Sequence, residues 1–554
     1  MRVFVRTLAL IVIAVGVTAA ASACAPMDEI GDAVPGVIPA PVSFDVRDGA
    51  EPFRLTESTR LVASGAGAAA VAETFAEVAR AATGFALPVV ESGPAASPRP
   101  AQDGADLSFV VALDEAPDGA DEGYTLESSA DGVRVASDTA AGLFRGSQTL
   151  RQLLPAEIER ADAAGAPAGG WTVPAASVAD APRFAYRGAM LDVARHFFPV
   201  DDVLRFIDAI ALLKLNVLHL HLTDDQGWRL EIESWPELTG IGASTSVGGD
   251  GGGFYTRADY RRIVDYASAR FVTIVPEIDL PGHTNAALSA YPELNCDGLA
   301  PAPYEGVEVG FSSLCASSAA AEATDRFLAD VTREVAELTP GPWLHLGGDE
   351  SLSTTADDYR DLVRRMTQAG AATGKTLIGW HEMGASRDLP HGTVGQYWSF
   401  VEPEEDAAAL TRSFVEQGGQ VIFSPADVAY LDMKYVDDPQ TALGHTLGQD
   451  WAKGPTTIDE AYLWEPTSIV PGIGEADILG VEAPVWTETM TTMSDVEFMV
   501  FPRITGIAEI AWSPRPAAGA ARDTEEFFAR VAAVGRHLDE LGIAYYPVRG
   551  VTWR

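Results

Sequence analysis

The chain has 554 residues and a formal net charge of −41. So acidic a surface repels nucleic acid and anionic lipid headgroups, which excludes polyanionic partners and leaves neutral substrates open. With 47% hydrophobic residues it is a folding chain, long enough for two or three domains.

Residues 1–24 begin with Arg2 and Arg6, continue with an apolar run from Thr7 to Val17, and end in small residues at Cys24. A basic start, an apolar middle and a small-residue exit read as a secretory signal peptide. The run is too short for a transmembrane helix. Ala21-Ser22-Ala23-Cys24 resembles a bacterial lipoprotein cleavage box, with Ala21 where Leu is more usual. The expectation is an exported protein: a cell-surface lipoprotein lipidated at Cys24, or a secreted form cleaved near Ala23. Such an anchor would be the only membrane attachment expected. The chain has three cysteines, an odd number for an exported protein. With Cys24 lipidated, Cys296 and Cys315 remain as one possible disulfide, worth about 3 kcal/mol in the chain-entropy model.

Residues 25–36 are rich in Pro, Gly and small or acidic residues and read as a tether. Residues 37–181 alternate strand and helix signals. Strands are expected at 60–63, 107–113, 124–127 and 133–136, the last two joined by the turn Ala130-Asp131-Gly132. Helices are expected at 68–83 and 140–154, and an Ala/Gly/Pro loop at 161–170. This is a small α+β accessory domain. It shows no carboxylate pair at a strand end, no metal-ligand spacing and no phosphate loop.

From residue 182 to 554 the pattern changes. Short apolar strands recur at 189–193, 217–222, 273–278, 344–347, 377–380, 394–398, 421–423 and 481–486, with helical stretches or loops between them. Eight such strands predict an α/β fold of the (β/α)8 TIM-barrel type, with an open parallel sheet as runner-up. Polar residues follow the strands: Arg195 and His196, then Asp224, Asp225 and Trp228, then Glu277, Asp279 and His283, then Asp349 and Glu350. The later strands lead to Trp380, Trp398, Tyr430 with Asp432, and Trp486 with Glu488. In a barrel these ends gather on one face, where active sites sit. Tryptophan faces suit the apolar faces of a pyranose, and acids and arginine suit its hydroxyls.

The centre of this pattern is Trp343-Leu344-His345-Leu346-Gly347-Gly348-Asp349-Glu350. Two adjacent carboxylates push their protonation apart, so one stays ionised while the other carries a proton. On an extended strand end, neighbouring side chains also point to different sides. An acidic strand-to-loop turn is the bland reading of Asp-Glu alone. Two further readings compete. His219 and His221 share one strand face, and with His283, His345 and Asp349 could serve a metal-dependent barrel hydrolase. Both histidines lie inside the strand rather than at its end, which favours hydrogen-bonded interior residues. A non-catalytic sugar-binding lipoprotein would share the cleft composition, but has no use for the carboxylate pair.

Six motifs carry a resemblance: Arg187-Gly-Ala-Met-Leu-Asp-Val-Ala-Arg-His-Phe-Phe, Leu218-His-Leu-His-Leu-Thr-Asp-Asp-Gln-Gly-Trp, Val275-Pro-Glu-Ile-Asp-Leu-Pro-Gly-His, Leu344-His-Leu-Gly-Gly-Asp-Glu, Tyr430-Leu-Asp-Met-Lys-Tyr and Glu482-Ala-Pro-Val-Trp-Thr-Glu. In this order the chain resembles the family 20 glycoside hydrolases, the β-N-acetylhexosaminidases, over nearly all of residues 183–515. The accessory domain resembles theirs more weakly. The resemblance implies an exo-acting, retaining enzyme on terminal N-acetylhexosamines of oligosaccharides such as chitin fragments, without metal or cofactor. It implies substrate-assisted catalysis, an exception to the two-carboxylate glycosidase scheme. Glu350 would be the acid and then the base. Asp349 would hold the acetamido N–H, and Tyr430 the acetamido oxygen. Trp380, Trp398 and Trp486 would wall the pocket. Arg195, Asp432 and Glu488 would take hydroxyls, and Asp224 and His283 would form a relay behind Glu350. The chain departs from its relatives in a longer stretch from Asp437 to Trp451, where Trp451 matches their subsite tryptophan.

Overall fold

The computed structural model describes residues 36–92, 105–112, 121–435, 447–517 and 520–553. The expected signal peptide, Cys24 and nearly all of the tether lie outside the described residues, as do residues 436–446 before Trp451.

Eight parallel strands close into a barrel: β1 Tyr186–Asp192, β2 Val217–His221, β3 Thr273–Glu277, β4 Trp343–His345, β5 Thr376–Trp380, β6 Val394–Tyr397, β7 Val421–Phe423 and β8 Ile478–Val485. β1 seals the ring by pairing on both edges, Gly188 with Val217 of β2 and Arg187 with Val481 of β8. The closed barrel replaces the open-sheet alternative. Each expected strand is present, with differences in extent; β8, like β1, starts three residues early, at Ile478. β1 starts three residues early, at Tyr186, because Tyr186 and Arg187 are buried against the barrel floor. β4 stops at His345 rather than Gly347, because the chain turns at the glycines. Long helices follow most strands, but after β5 there is only a short 3-10 turn, His381–Ala385.

The interior is layered. Tyr186, Val217, Val275, Ile378, Val394 and Ile422 fill its lower end with apolar side chains. Above them the filling turns polar: His219, His221, Glu277, His345, Gln396 and Glu482 are all fully buried. Buried charge is tolerated where it is paired. Glu482 accepts from Tyr186, from His219 Nδ1 at 2.9 Å and from Gln396 Nε2 at 2.7 Å.

The α+β domain precedes the barrel. Its seven-stranded sheet runs, in spatial order, Ser43–Val46, Ala176–Asp180, Tyr124–Ser129, Gly132–Ser137, Asp106–Val111, Leu61–Ser64 and Val89–Glu91. The helices Ala68–Thr83 and Ala140–Leu153 pack on it. The domain is locked to the barrel's N-terminal end by buried ions. Lys214 Nζ donates to Asp180 Oδ2 at 2.8 Å and to Tyr124 Oη at 2.9 Å, and Trp512 Nε1 donates to Asp180 Oδ1 at 2.9 Å. Glu122 takes both Arg145 and Arg187 at 2.6 Å. Burial alone would raise the pKa of Glu122, but the two guanidiniums outweigh it and hold it at about 2. Lys214 directly precedes the segment entering β2, so this contact lies opposite the face where the strands end.

Candidate active site

The loop after β4 delivers the two central carboxylates. Gly347 and Gly348 have φ of 66° and 109°, and Glu350 itself has φ of 37°. A Cβ at Gly347 would stand 1.7 Å from Asp279 Oδ1, and one at Gly348 would stand 2.3 Å from Met383 Cγ. Glycine is required at both positions. Asp349 and Glu350 are therefore not neighbours on an extended strand end. Their side chains are set by left-handed turns rather than by strand alternation.

Both carboxylates lie against one imidazole. His283 Nε2 is 3.8 Å from Asp349 Oδ2 and 3.6 Å from Glu350 Oε2. Its Nδ1 is 3.2 Å from Asp224 Oδ1. Burial opposes a charge on His283, but Asp224, Asp349 and Asp279 outweigh it and raise its pKa well above the ordinary histidine value. The surrounding carboxylates thus favour the charged form of His283, whose Nε2 faces the carboxylate pair. Asp224 also receives Arg195 Nη2 and His221 Nε2, each at 2.8 Å. Burial favours its neutral form, yet Arg195, His283 and His221 hold its pKa well below the carboxylate range. The expected line from Asp224 through His283 to Glu350 is assembled, and His221 and Glu277 extend it inward.

The two acids differ in setting. Asp349 is 9% exposed, and burial pushes its pKa up to about 6, with Glu350 adding to the rise and His283 opposing it. The Glu350 side chain is 32% exposed. One acid is sunk in the pocket and the other stands at its mouth.

Aromatic side chains surround them. Trp380 Nε1 donates to Glu277 Oε1 at 2.9 Å, fixing a fully buried indole at the pocket base. The Trp380 and Trp486 rings are 6.1 Å apart, and those of Tyr430 and Trp486 6.2 Å. Trp398 Nε1 lies 3.0 Å from each oxygen of Glu382. Trp451 reaches Trp398 at 6.1 Å and Tyr430 at 5.8 Å but is 49% exposed, which puts it on the rim.

Unpaired buried polar atoms mark where a ligand fits. Arg195 Nε and Nη1, Asp349 Oδ1, Asp432 Oδ2 and Glu488 Oε2 find no hydrogen-bond partner among the described residues. Buried polar atoms are ordinarily paired, and several converging orphans call for a ligand rich in donors and acceptors. Arg195 also lies over the Trp486 ring, 4.7 Å from its centroid. Burial, reinforced by Glu488, raises the pKa of Asp432 well above the usual range. The site thus brings together every expected residue from Arg195 to Glu488. Cys296 and Cys315 form a disulfide at the base of the loop after β3, with Cα atoms 5.0 Å apart.

Two contributors, Asp192 and Glu382, were not singled out from sequence, and Asp279, noted there only as following its strand, gains a contact. Asp192 ties the end of β1 to the loop after β8, accepting from the Arg195 amide at 3.0 Å and the Thr487 amide at 3.0 Å. Asp279 accepts the Gly348 amide at 3.3 Å. Glu382 orients Trp398, and burial together with Asp349 raises its pKa well above the usual range. A carboxylate within two residues of a strand end was the available signal for Asp192 and Glu382.

The histidines of the competing metal reading serve an ion-pair network. His219 and His345 lie 3.1 and 3.0 Å from Glu277, and His221 donates to the same carboxylate. Burial opposes charge on His219 and His221, but the carboxylates outweigh it and raise their pKa values to about 10 and 9. Both imidazoles are thus held inside the barrel as partners of buried carboxylates.

Comparison with known proteins agrees with this geometry. Residues 184–359 and 352–515 match the glycosyl hydrolase family 20 catalytic domain, and residues 34–181 match that family's domain 2. A β-N-acetylhexosaminidase of Cellulomonas fimi is 41% identical over 519 residues, covering 93% of this chain and 97% of that one. The family 20 β-N-acetylhexosaminidase of Streptomyces coelicolor A3(2) is 43% identical with a TM-score of 0.84, covering 94% of this chain and 99% of that one. A mutant β-hexosaminidase of Streptomyces plicatus, solved with the product GlcNAc, is 42% identical with a TM-score of 0.84, covering 94% and 98%. The chain belongs to glycosyl hydrolase family 20, with the family's catalytic barrel preceded by its domain 2.

Proposed function

We propose that this glycoside hydrolase is an exo-acting, retaining β-N-acetylhexosaminidase that releases terminal N-acetylglucosamine or N-acetylgalactosamine by substrate-assisted catalysis. The observation that carries the reading is that Asp349 and Glu350 share one imidazole, His283. An acid and an enzymic nucleophile, or an acid and a water-activating base, must flank the anomeric carbon from opposite faces. Two carboxylates against the same imidazole are poorly placed for that. The 2-acetamido oxygen of the substrate supplies the missing nucleophile, with the large effective molarity of an intramolecular group. It attacks the anomeric carbon as Glu350 protonates the leaving oxygen, giving a cyclic oxazolinium. Asp349 accepts the acetamido N–H and stabilises the positive charge developing on nitrogen. Tyr430 donates to the acetamido oxygen between the tryptophan walls. Glu350 then takes a proton from water, which attacks from the face the leaving group vacated, so the β-configuration is retained. Arg195, Asp432 and Glu488 hold the ring hydroxyls. Following the products by NMR, the β-anomer of the free sugar should appear first. The α-anomer appearing first would rule out the double displacement.

We further propose export, with a lipid anchor at Cys24. The basic-apolar-small leader supports it, as does a disulfide between Cys296 and Cys315, which suits an oxidising compartment. Metabolic labelling with a fatty acid should tag the protein, and Cys24→Ala should abolish the tag. Unlabelled protein free in the medium would refute the anchor.

A further inference from the structure

The mechanism uses the inner pocket and leaves a second group of exposed apolar side chains, beside the loop that carries Glu350, unexplained. Leu299, Val307, Val309 and Phe311 stand exposed on the loop between the 3-10 turn Pro292–Leu294 and the helix Ala321–Leu338, and Leu352, two residues past Glu350, is 77% exposed. That loop is firmly built. The Cys296–Cys315 bridge closes its base. The Gly248 amide donates to Glu305 O at 2.8 Å, Gln226 Nε2 donates to Gly306 O at 2.8 Å, and Ser312 donates to the buried Asp225. Leu352 lies across the loop's glycine: a Cβ at Gly310 would stand 2.7 Å from Leu352 Cδ1. Phe311 packs its ring 4.6 Å from that of Tyr304 and remains 43% exposed. Apolar side chains held in place and turned to water mark a binding surface.

Phe311 also borders a cavity of about 460 Å³, lined by Asn285, Asn295, Ser317, Thr354 and Asp358 among others. Hydroxyls, amides, the Asp358 carboxylate and one aromatic edge, with no lysine, arginine or histidine in the lining, suit a neutral polyhydroxylated ligand. They do not suit a phosphate or an acidic sugar.

We propose that Leu352, Phe311 and the adjoining cavity form a distal subsite for the outer neutral sugars of an oligosaccharide leaving group. This rests on Glu350 being the acid. The leaving group departs on the side of Glu350, and the Leu352 amide donates to the Glu350 carbonyl at 2.7 Å. The sugar next to the scissile bond meets Trp451, and the sugars beyond it meet the Leu352–Phe311 lip. The subsite adds binding energy without touching the reacting atoms, so it lowers KM for long substrates and leaves kcat alone.

The test compares wild type with a Leu352→Ser/Phe311→Ala double variant on three substrates. These are 4-nitrophenyl N-acetyl-β-glucosaminide and the β-1,4-linked disaccharide and tetrasaccharide of N-acetylglucosamine. The double variant should lose about 5–20-fold in kcat/KM on the tetrasaccharide, through KM, and stay within about twofold on the two short substrates. The retained aryl-glycosidase activity reports an intact fold and catalytic centre. An unchanged tetrasaccharide value, or an equal fall on all three substrates, would overturn the subsite. A wild type inert on all three would overturn the activity reading beneath it.

Discussion

A carboxylate buried beside a second carboxylate titrates late, and Asp349 is such a group, with its pKa pushed up to about 6. In the proposed mechanism its charge faces the acetamido nitrogen in the transition state, so kcat/KM should fall below about pH 6 as Asp349 takes a proton. Asp349→Asn should lower kcat by roughly 10²–10³ with a much smaller change in KM, and should erase that acid limb. The sign for stability is the opposite. A folded-state pKa raised above the unfolded value means stability present at low pH and lost as pH rises from about 4 through 6. Asp349→Asn should therefore stabilise the fold at pH 7–8, by up to about 3 kcal/mol, and gain nothing at pH 4. Thermal unfolding at both pH values checks this, and a gain present equally at pH 4 contradicts it. Glu350→Gln should behave differently. Substrates with poor leaving groups should lose the most turnover, because only they need full protonation of the leaving oxygen. Equal losses across a leaving-group series would remove Glu350 from the acid role.

The element that decides the site is the loop after β4. Gly347→Ala forces a methyl against Asp279 Oδ1 at a φ of 66°, which should cost about 2–4 kcal/mol of stability and displace both acids. Unchanged stability and activity in that variant would mean the left-handed turns are not what sets the carboxylates. The barrel strands were legible because runs such as Val217–His221 and Val421–Phe423 are buried on both sides, as parallel strands are. The edge strands Ser43–Val46 and Val89–Glu91 were not, since half-exposed short segments carry little periodicity and their partners are distant in sequence. The same limit applied within the site. Strand ends pointed to Asp349, Glu350 and the tryptophans, and the interior reading of His219 and His221 matches their ion pairs with Glu277 and Glu482. The use of Glu382 to orient Trp398 depends on the tight 3-10 turn after β5, which leaves no periodic signal in the sequence. The Asp224–His283 contact spans 59 positions and came from resemblance alone.

At the scale of the molecule the barrel has two working ends. Its N-terminal end carries the accessory domain on the Lys214–Asp180 and Glu122–Arg187 contacts, and its C-terminal end carries the chemistry. Asp180→Asn leaves Lys214 buried without its counter-ion and should cost about 3–5 kcal/mol of unfolding free energy. Because the pair lies at the far end of the barrel, KM and kcat of the folded variant should be unchanged. A variant that keeps its stability but loses activity would show that the accessory domain shapes the pocket.

In the proposed mechanism the whole assembly, from His283 to the tryptophan walls, makes the substrate's own acetamido group the nucleophile. The direct measurement is kcat/KM for an aryl 2-acetamido-2-deoxy-β-glucoside against the matching aryl β-glucoside, on wild-type protein. An intramolecular nucleophile should favour the acetamido substrate by about 10³-fold or more. Comparable rates on the two glycosides would contradict the account.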